Sequence, residues 1–255
     1  TQWGRVFLLV GAGVIASFQI GKAPPALPAM REELGMDLFM AGWILSTFNI
    51  IGLLFGSVSG AFADAFGRRR LLLPALAAQA AGSLAGAWAH GPMFLFATRV
   101  VEGLGFLGVA VSAPAVIFRI THPSHLRIAL ALWSCFVPAG VAAIMVLTPL
   151  ILPAFGWRGL WRFNAAVLIL YLALLAFTFR GGRSEARPAG FPWPRIFKDV
   201  WSTSTAIGPV LLTATFATYT VQWLAVMGFL PTLLVDGDAM TPGRASLLTA
   251  LVVVL

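Results

Sequence analysis

Apolar residues gather in runs of roughly 20 along this chain, a length that carries a helix across the ~30 Å hydrocarbon core of a bilayer. Short stretches rich in Arg, Gly, Pro and Asp separate the runs. The pattern predicts helices over 6–30, 41–63, 71–89, 93–118, 128–153 and 160–179. A polar stretch follows over 180–204, then a seventh helix over 206–235 and the start of an eighth near Ala245. The chain opens at Thr1, almost inside its first run, and closes at Leu255 inside another, so both ends read as cuts in a longer sequence. The first run is too long for a signal peptide, and no soluble domain follows it.

Composition strengthens this pattern. The 255 residues are 59% hydrophobic and 10% charged, with a mean hydropathy of +0.90. Soluble domains carry about a quarter charged residues, so lipid is the expected solvent for much of this surface. The net charge of +8 does not point to nucleic acid, because the basic residues sit in loops between apolar runs. One set of alternate loops holds Arg5, Arg68, Arg69, Arg70, Arg119 and Arg127, with five more Arg and Lys between 180 and 198. The other set holds only Arg31, Arg158, Arg162 and Arg244. The positive-inside rule then puts the N-terminus and the 180–204 linker in the cytoplasm of an inner-membrane, multi-pass protein. A lone Cys135 excludes a disulfide framework and a cysteine metal site.

The loop after the second predicted helix reads Gly60-Ala-Phe-Ala-Asp64-Ala-Phe-Gly67-Arg68-Arg69-Arg70. Gly60 allows close helix approach, Gly67 allows a sharp reversal, and the arginines hold the loop on the cytoplasmic side. The stretch resembles the signature loop of the major facilitator superfamily of secondary transporters. That resemblance implies that Asp64 bridges two helical bundles on the cytoplasmic side, as a gating latch and not a substrate site. It implies an all-α membrane fold of about twelve helices, of which seven to eight are present here.

Residues 1–179 would form a six-helix bundle, 180–204 a linker, and 205–255 the start of a second bundle. At an offset of 89 residues, Pro25-Ala26 matches Pro114-Ala115, and Ala65-Phe66-Gly67 with Arg69 matches Ala154-Phe155-Gly156 with Arg158. An odd number of helices per repeat inverts the second copy, giving the inverted three-helix repeats found in transporters of this superfamily.

Ionisable residues inside the predicted helices are the candidates for chemistry. In the fourth helix Arg99 and Glu102 are three apart and share a face. With Gly103 they resemble the family's fourth-helix motif, whose arginine is linked to proton coupling or substrate charge; a structural ion pair is the alternative. Glu102 is the candidate proton carrier, with Arg99 beside it. Gln19 and Lys22 share a face of the first helix, before Pro24, Pro25 and Pro28. Lys22 could meet an anionic substrate or snorkel toward the interface. Asn49 is a further binding candidate, or an interhelical hydrogen bond. Tyr219, Gln222 and Trp223 sit on one face of the seventh helix and suit either a cavity or packing.

The family's proton-antiporter branch places a Gly before the fifth-helix Pro. Here Val137 precedes Pro138, and the Pro-x-Gly form with Gly156-Trp157-Arg158 resembles the cyanate-transporter-like branch instead. The expected function is therefore secondary transport of a small solute, an organic or inorganic anion, by alternating access with a proton. A proton-driven drug or metabolite exporter is the alternative within the same fold. A seven-helix retinal protein is disfavoured because the seventh run lacks a lysine. No enzyme motif appears, and no cofactor, metal or nucleic acid is expected. The expected partners are the bilayer, a small-molecule substrate and a proton, for a monomer.

Overall fold

In a bilayer each backbone N–H and C=O must be satisfied without water, which makes the helix the default for these apolar runs. The computed structural model describes residues 1–66, 68–179, 198, 201–203, 205–238 and 240–254. Side chains are described for all of these except residues 57, 58, 60–66, 68, 69, 224, 238 and 254. Among the described residues there is no strand. The helices are α1 (Trp3–Gly21), α2 (Ala23–Leu34), α3 (Leu38–Phe66), α4 (Arg68–Gly86), α5 (Pro92–Ile120), α6 (Leu126–Ser134), α7 (Phe136–Thr178), α8 (Ile207–Asp238) and α9 (Pro242–Val254). Five described helical segments are long and apolar enough to cross a membrane. Helix α4, which opens on three arginines, is not among them.

Three breaks refine the predicted spans. Pro24 and Pro25 have no N–H to donate to the carbonyls of Ile20 and Gly21, so the first run divides at Lys22 into α1 and α2 without reversing. Pro138 likewise cannot donate to Ser134, and the fifth run divides there into α6 and α7. The third break lies inside α7, whose 43 residues would stretch roughly 65 Å, about twice the hydrocarbon thickness. Gly156, at φ 63° and ψ −175°, breaks it into two helices over 136–155 and 157–178. A residue with a Cβ is strained in that conformation. These are the fifth and sixth predicted helices.

Helices α1, α4, α5 and the second part of α7 surround one apolar cluster that includes Leu9, Leu76, Val109 and Leu168. A second cluster lies further along the same helices and adds α2 and α3, with Leu27, Ile44, Leu95 and Trp161. Between the two clusters runs a buried polar layer: Gln19 and Lys22, Gln79 and Ser83, Arg99 and Glu102, and Asn164. Small residues bring α4 and α5 together at this level. A Cβ at Gly105 would come within 2.5 Å of the Ala75 carbonyl oxygen, and one at Gly82 within 2.8 Å of Glu102 Cγ.

Helix α8 meets α2 near its Leu34 end, and α9 packs along the first part of α7. Arg31 faces Asp236 at 3.6 Å, and Ser246 Oγ donates to the Met145 carbonyl at 2.6 Å.

The close approach of α4 and α5 sets a prediction. Gly105→Ala pushes backbone against backbone and should destabilise the folded protein by about 1–3 kcal/mol. Gly52→Ala, with nothing within 4 Å of the added Cβ, should be neutral or slightly stabilising. Thermal unfolding of the detergent-solubilised variants checks the order; equal midpoints would contradict the packing account.

Candidate functional site

The helical break at Lys22 sets its side chain at the centre of the polar layer. Lys22 Nζ donates to Glu102 Oε1 at 2.7 Å and to Ser83 Oγ at 2.8 Å. It also donates to Gln19 Oε1. Its ammonium lies 4.3 Å from the centre of the Trp161 ring, within cation–π range. Arg99 Nη1 donates to Glu102 Oε2 at 2.6 Å and to the Gln19 backbone carbonyl at 2.7 Å. The guanidinium lies 4.4 Å from the Phe48 ring. Each oxygen of one carboxylate therefore holds a different cation. Lys22 and Glu102 are fully buried, and Arg99 is 1% exposed.

Neighbouring helices hold this geometry. Gly82 lets Glu102 stand against the α4 backbone, and the next residue, Ser83, accepts from Lys22 while donating to the Trp161 carbonyl at 2.9 Å. Gly86 leaves room for the Trp161 indole, which a Cβ there would meet at 2.7 Å. Phe48 separates Arg99 from a run of half-buried rings: its centroid is 5.6 Å from Phe106, which lies 6.2 Å from Phe136.

Two properties follow. The cluster carries two cations and one carboxylate inside a sealed apolar bundle, where an uncompensated charge costs several kcal/mol. It also has spare donors: Gln19 Nε2, Arg99 Nε and Trp161 Nε1 are buried with no hydrogen-bond partner among the described residues. Both favour a ligand that brings negative charge and acceptor oxygens.

The two residue pairs expected from sequence, Gln19 with Lys22 and Arg99 with Glu102, thus meet at one point. The other binding candidates lie elsewhere. Asn49 is exposed on α3, and Tyr219 and Gln222 are exposed on α8. Trp223 is half-buried and packs with Val141, Met145 and Ala250. None of these four hydrogen-bonds to the cluster among the described residues. Of the expected gating loop, Gly67 lies outside the described residues, as do the side chains of Asp64, Arg68 and Arg69; the backbone at 60–66 ends α3 and that at 68–70 begins α4.

Sequence reasoning passed over Ser83, Gln79, Trp161 and Phe48. Gln79 and Ser83 did carry a signal, since they are polar and four apart on one face of an apolar helix. A second polar group, also passed over, joins α2, the end of α4 and α7. Glu33 pairs with Arg158 and accepts from Trp157 Nε1 at 2.6 Å, while Arg158 Nη2 donates to the Ala89 carbonyl at 2.6 Å. Among the described residues no cluster of His, Cys, Asp or Glu could hold a metal ion.

The family model of the Major Facilitator Superfamily matches residues 9–255, and the chain belongs to that superfamily. Membership sets it among membrane transporters and not among enzymes. It is 29% identical over 174 residues to a puromycin resistance protein of Streptomyces alboniger, covering 67% of this chain and 34% of that one. It is 33% identical over 150 residues to the 4-hydroxybenzoate transporter PcaK of Pseudomonas putida, covering 58% and 33%. The cephamycin export protein CmcT of Amycolatopsis lactamdurans is 30% identical over 208 residues, covering 78% and 40%. The chain thus spans about a third to two fifths of the length of these curated relatives.

The fold matches a bacterial homologue of the lysosomal transporter Spinster, in an inward-facing, unoccupied conformation, with a TM-score of 0.73 at 18% identity over 99% of this chain and 60% of that one. A D-xylose-proton symporter matches with a TM-score of 0.72 at 14% identity over 98% and 65%. Structure and family agree on a helical bundle of major-facilitator type among the described residues.

The shared carboxylate generates a prediction. Glu102→Ala strands two buried cations and should cost about 3–5 kcal/mol. Lys22→Met leaves the Arg99–Glu102 pair intact and should cost clearly less. Chemical denaturation of purified protein measures both, and the reverse order would refute the assignment of Glu102 as the hub.

Proposed function

We propose that this chain is the part of a secondary active transporter that binds a small organic anion and couples its movement to a proton. The observation that carries the reading is the sealed Lys22–Arg99–Glu102 cluster, with one cation more than its carboxylates balance. Lys22 and Arg99 attract the anion, Gln19 offers a free amide donor, and Glu102 carries the proton. The named substrate of one relative, 4-hydroxybenzoate, is a small aromatic carboxylate of this class. Trp161 and Phe48, already packed on the two cations, suit the flat face of such a molecule.

Alternating access needs two bundles, and the Lys and Arg distribution supports residues 1–179 as one of them. In this reading the 180–204 linker is cytoplasmic, 205–255 opens the second bundle, and the N-terminus faces the cytoplasm of a cell with an inner membrane. The 60–70 loop fits a cytoplasmic latch with Asp64 at its centre. Tyr219, Gln222, Trp223 and Asn49 would line the path between the bundles, outside the charged cluster. The protein would work as a monomer.

A second reading, proton-driven export of a drug or metabolite, is favoured by the resistance and export proteins among the relatives. Transport in proteoliposomes separates the two. With the full-length protein and an acidic exterior, labelled 4-hydroxybenzoate should accumulate several-fold inside, and collapsing the pH gradient should abolish the accumulation. Proton-driven expulsion of a drug such as puromycin, with no carboxylate uptake, would replace the first reading with the second.

A further inference from the structure

The number of charges in the polar layer constrains how a proton and a substrate can exchange there. The described groups that touch Glu102 or its two cations come from several helices. Lys22, at the junction of α1 and α2, bonds Glu102 directly; Gln19 of α1 and Ser83 of α4 bond Lys22, while Phe48 of α3 and Trp161 of α7 pack on the two cations. On α5 itself Arg99 is the neighbour. Among the described residues Lys22, Arg99 and Glu102 are the ionisable groups of the layer, and all three are sealed from solvent. The formal charge of the empty site is therefore plus one.

We propose that the transport cycle keeps this charge constant, so that one monocarboxylate enters with one proton and the cycle is electroneutral. The inference rests on the anion–proton reading given above and adds its stoichiometry and substrate valence. One substrate carboxylate takes over the donors of Lys22 and Arg99, breaking the ion pairs of both with Glu102. A proton from the aqueous side bonds to the freed Glu102 carboxylate. Two cations, one substrate anion and a neutral Glu102 again sum to plus one.

A substrate carboxylate that takes over both cations leaves Glu102 buried without a partner, a cost that a proton on it removes, so the exchange of one anion for another is the low-cost path through this layer. Binding the anion without the proton would make the site neutral but leave two carboxylates crowded on the same pair of cations. Binding the proton without the anion would leave two cations unbalanced. Both half-loaded states are disfavoured, which is the condition for tight coupling. A dicarboxylate entering with one proton would take the site from plus one to zero and move a net charge across the membrane, so constant charge selects a monocarboxylate. The spare donors Gln19 Nε2 and Arg99 Nε would hold the incoming carboxylate while Glu102 lets go.

The test is electrical and uses the full-length wild-type protein in proteoliposomes, with 4-hydroxybenzoate as the probe and valinomycin with potassium to set the potential. At a fixed pH gradient, a change of 100 mV should alter the accumulation ratio less than about 2-fold. A cycle that moves one net charge would change it roughly 50-fold. Uptake that follows the pH gradient but also shifts tens-of-fold with potential overturns the stoichiometry and leaves the proton-coupled reading standing. No pH-driven uptake at all removes the underlying reading itself.

Glu102→Gln gives an independent arm, because its neutral side chain imitates the protonated state. The variant should lose concentration by the pH gradient and become a potential-driven carrier, with accumulation shifting roughly 50-fold per 100 mV in the direction that draws anions to the positive side. Uptake in Glu102→Gln that still follows the pH gradient puts the proton on another group and overturns the exchange. If that variant does not fold, the wild-type measurement decides alone.

Discussion

The bundle is organised around one carboxylate held by two cations in a space that excludes water. Glu102 gives one oxygen to Lys22 and the other to Arg99, and neither cation has another anion within ion-pair distance among the described residues. In a low-dielectric interior such a group holds together strongly and is costly when any member is lost. Several features of the surrounding helices make sense as support for it. Gly82 and Gly86 remove side chains where Glu102 and Trp161 must pass, Ser83 joins the ammonium to the Trp161 carbonyl, and the prolines after Lys22 open the helix where that side chain turns inward.

The same arrangement joins stability to mechanism. Apolar clusters above and below the polar layer are packed from the same four helices, so those helices can shift together only if the layer between them adapts. In the proposed exchange, a carboxylate that releases its partners to a substrate would provide that adaptation without exposing a bare charge. The break at Lys22 lies in the helix that also carries Arg31, opposite Asp236 of α8, and Glu33, bound to Arg158. Helix α2 therefore joins the cluster at its start to the contacts with α7 and α8 at its end.

Much of the fold was legible in the sequence because membrane spans obey two strong constraints, length and backbone satisfaction. The apolar runs located the helices to within a few residues, and the Gly156 break falls between two runs that the pattern had already separated. The site was legible in halves. Spacing of three placed Gln19 with Lys22, and Arg99 with Glu102, but one helix's periodicity says nothing of its register against another. That register comes from contacts such as Gly105 on Ala75, which join helices α5 and α4, some thirty residues apart in the chain. Ser83, Trp161 and Phe48 escaped notice because a lone serine, or an aromatic in an apolar run, looks like packing until a cation is set beside it. The 60–70 loop is the opposite case: its motif is explicit in the sequence, while its side chains lie outside the described residues.

Charge sign separates functions that a shared fold cannot. Relatives of this chain include a carboxylate transporter and exporters of antibiotics, and all would be expected to share the helical framework. In the proposed reading, a sealed site of net positive charge would repel a cationic amphiphile by the same interaction that draws in a carboxylate, with weak screening in the bundle to enlarge the difference. To present a net negative charge to a cation, Glu102 would have to lose the charges of both Lys22 and Arg99. Lys22 is tied to three oxygens and Arg99 to two, so that loss would give up hydrogen bonds as well as charge balance. On these five bonds, more than on the family to which the chain belongs, rests the proposal of an anionic cargo.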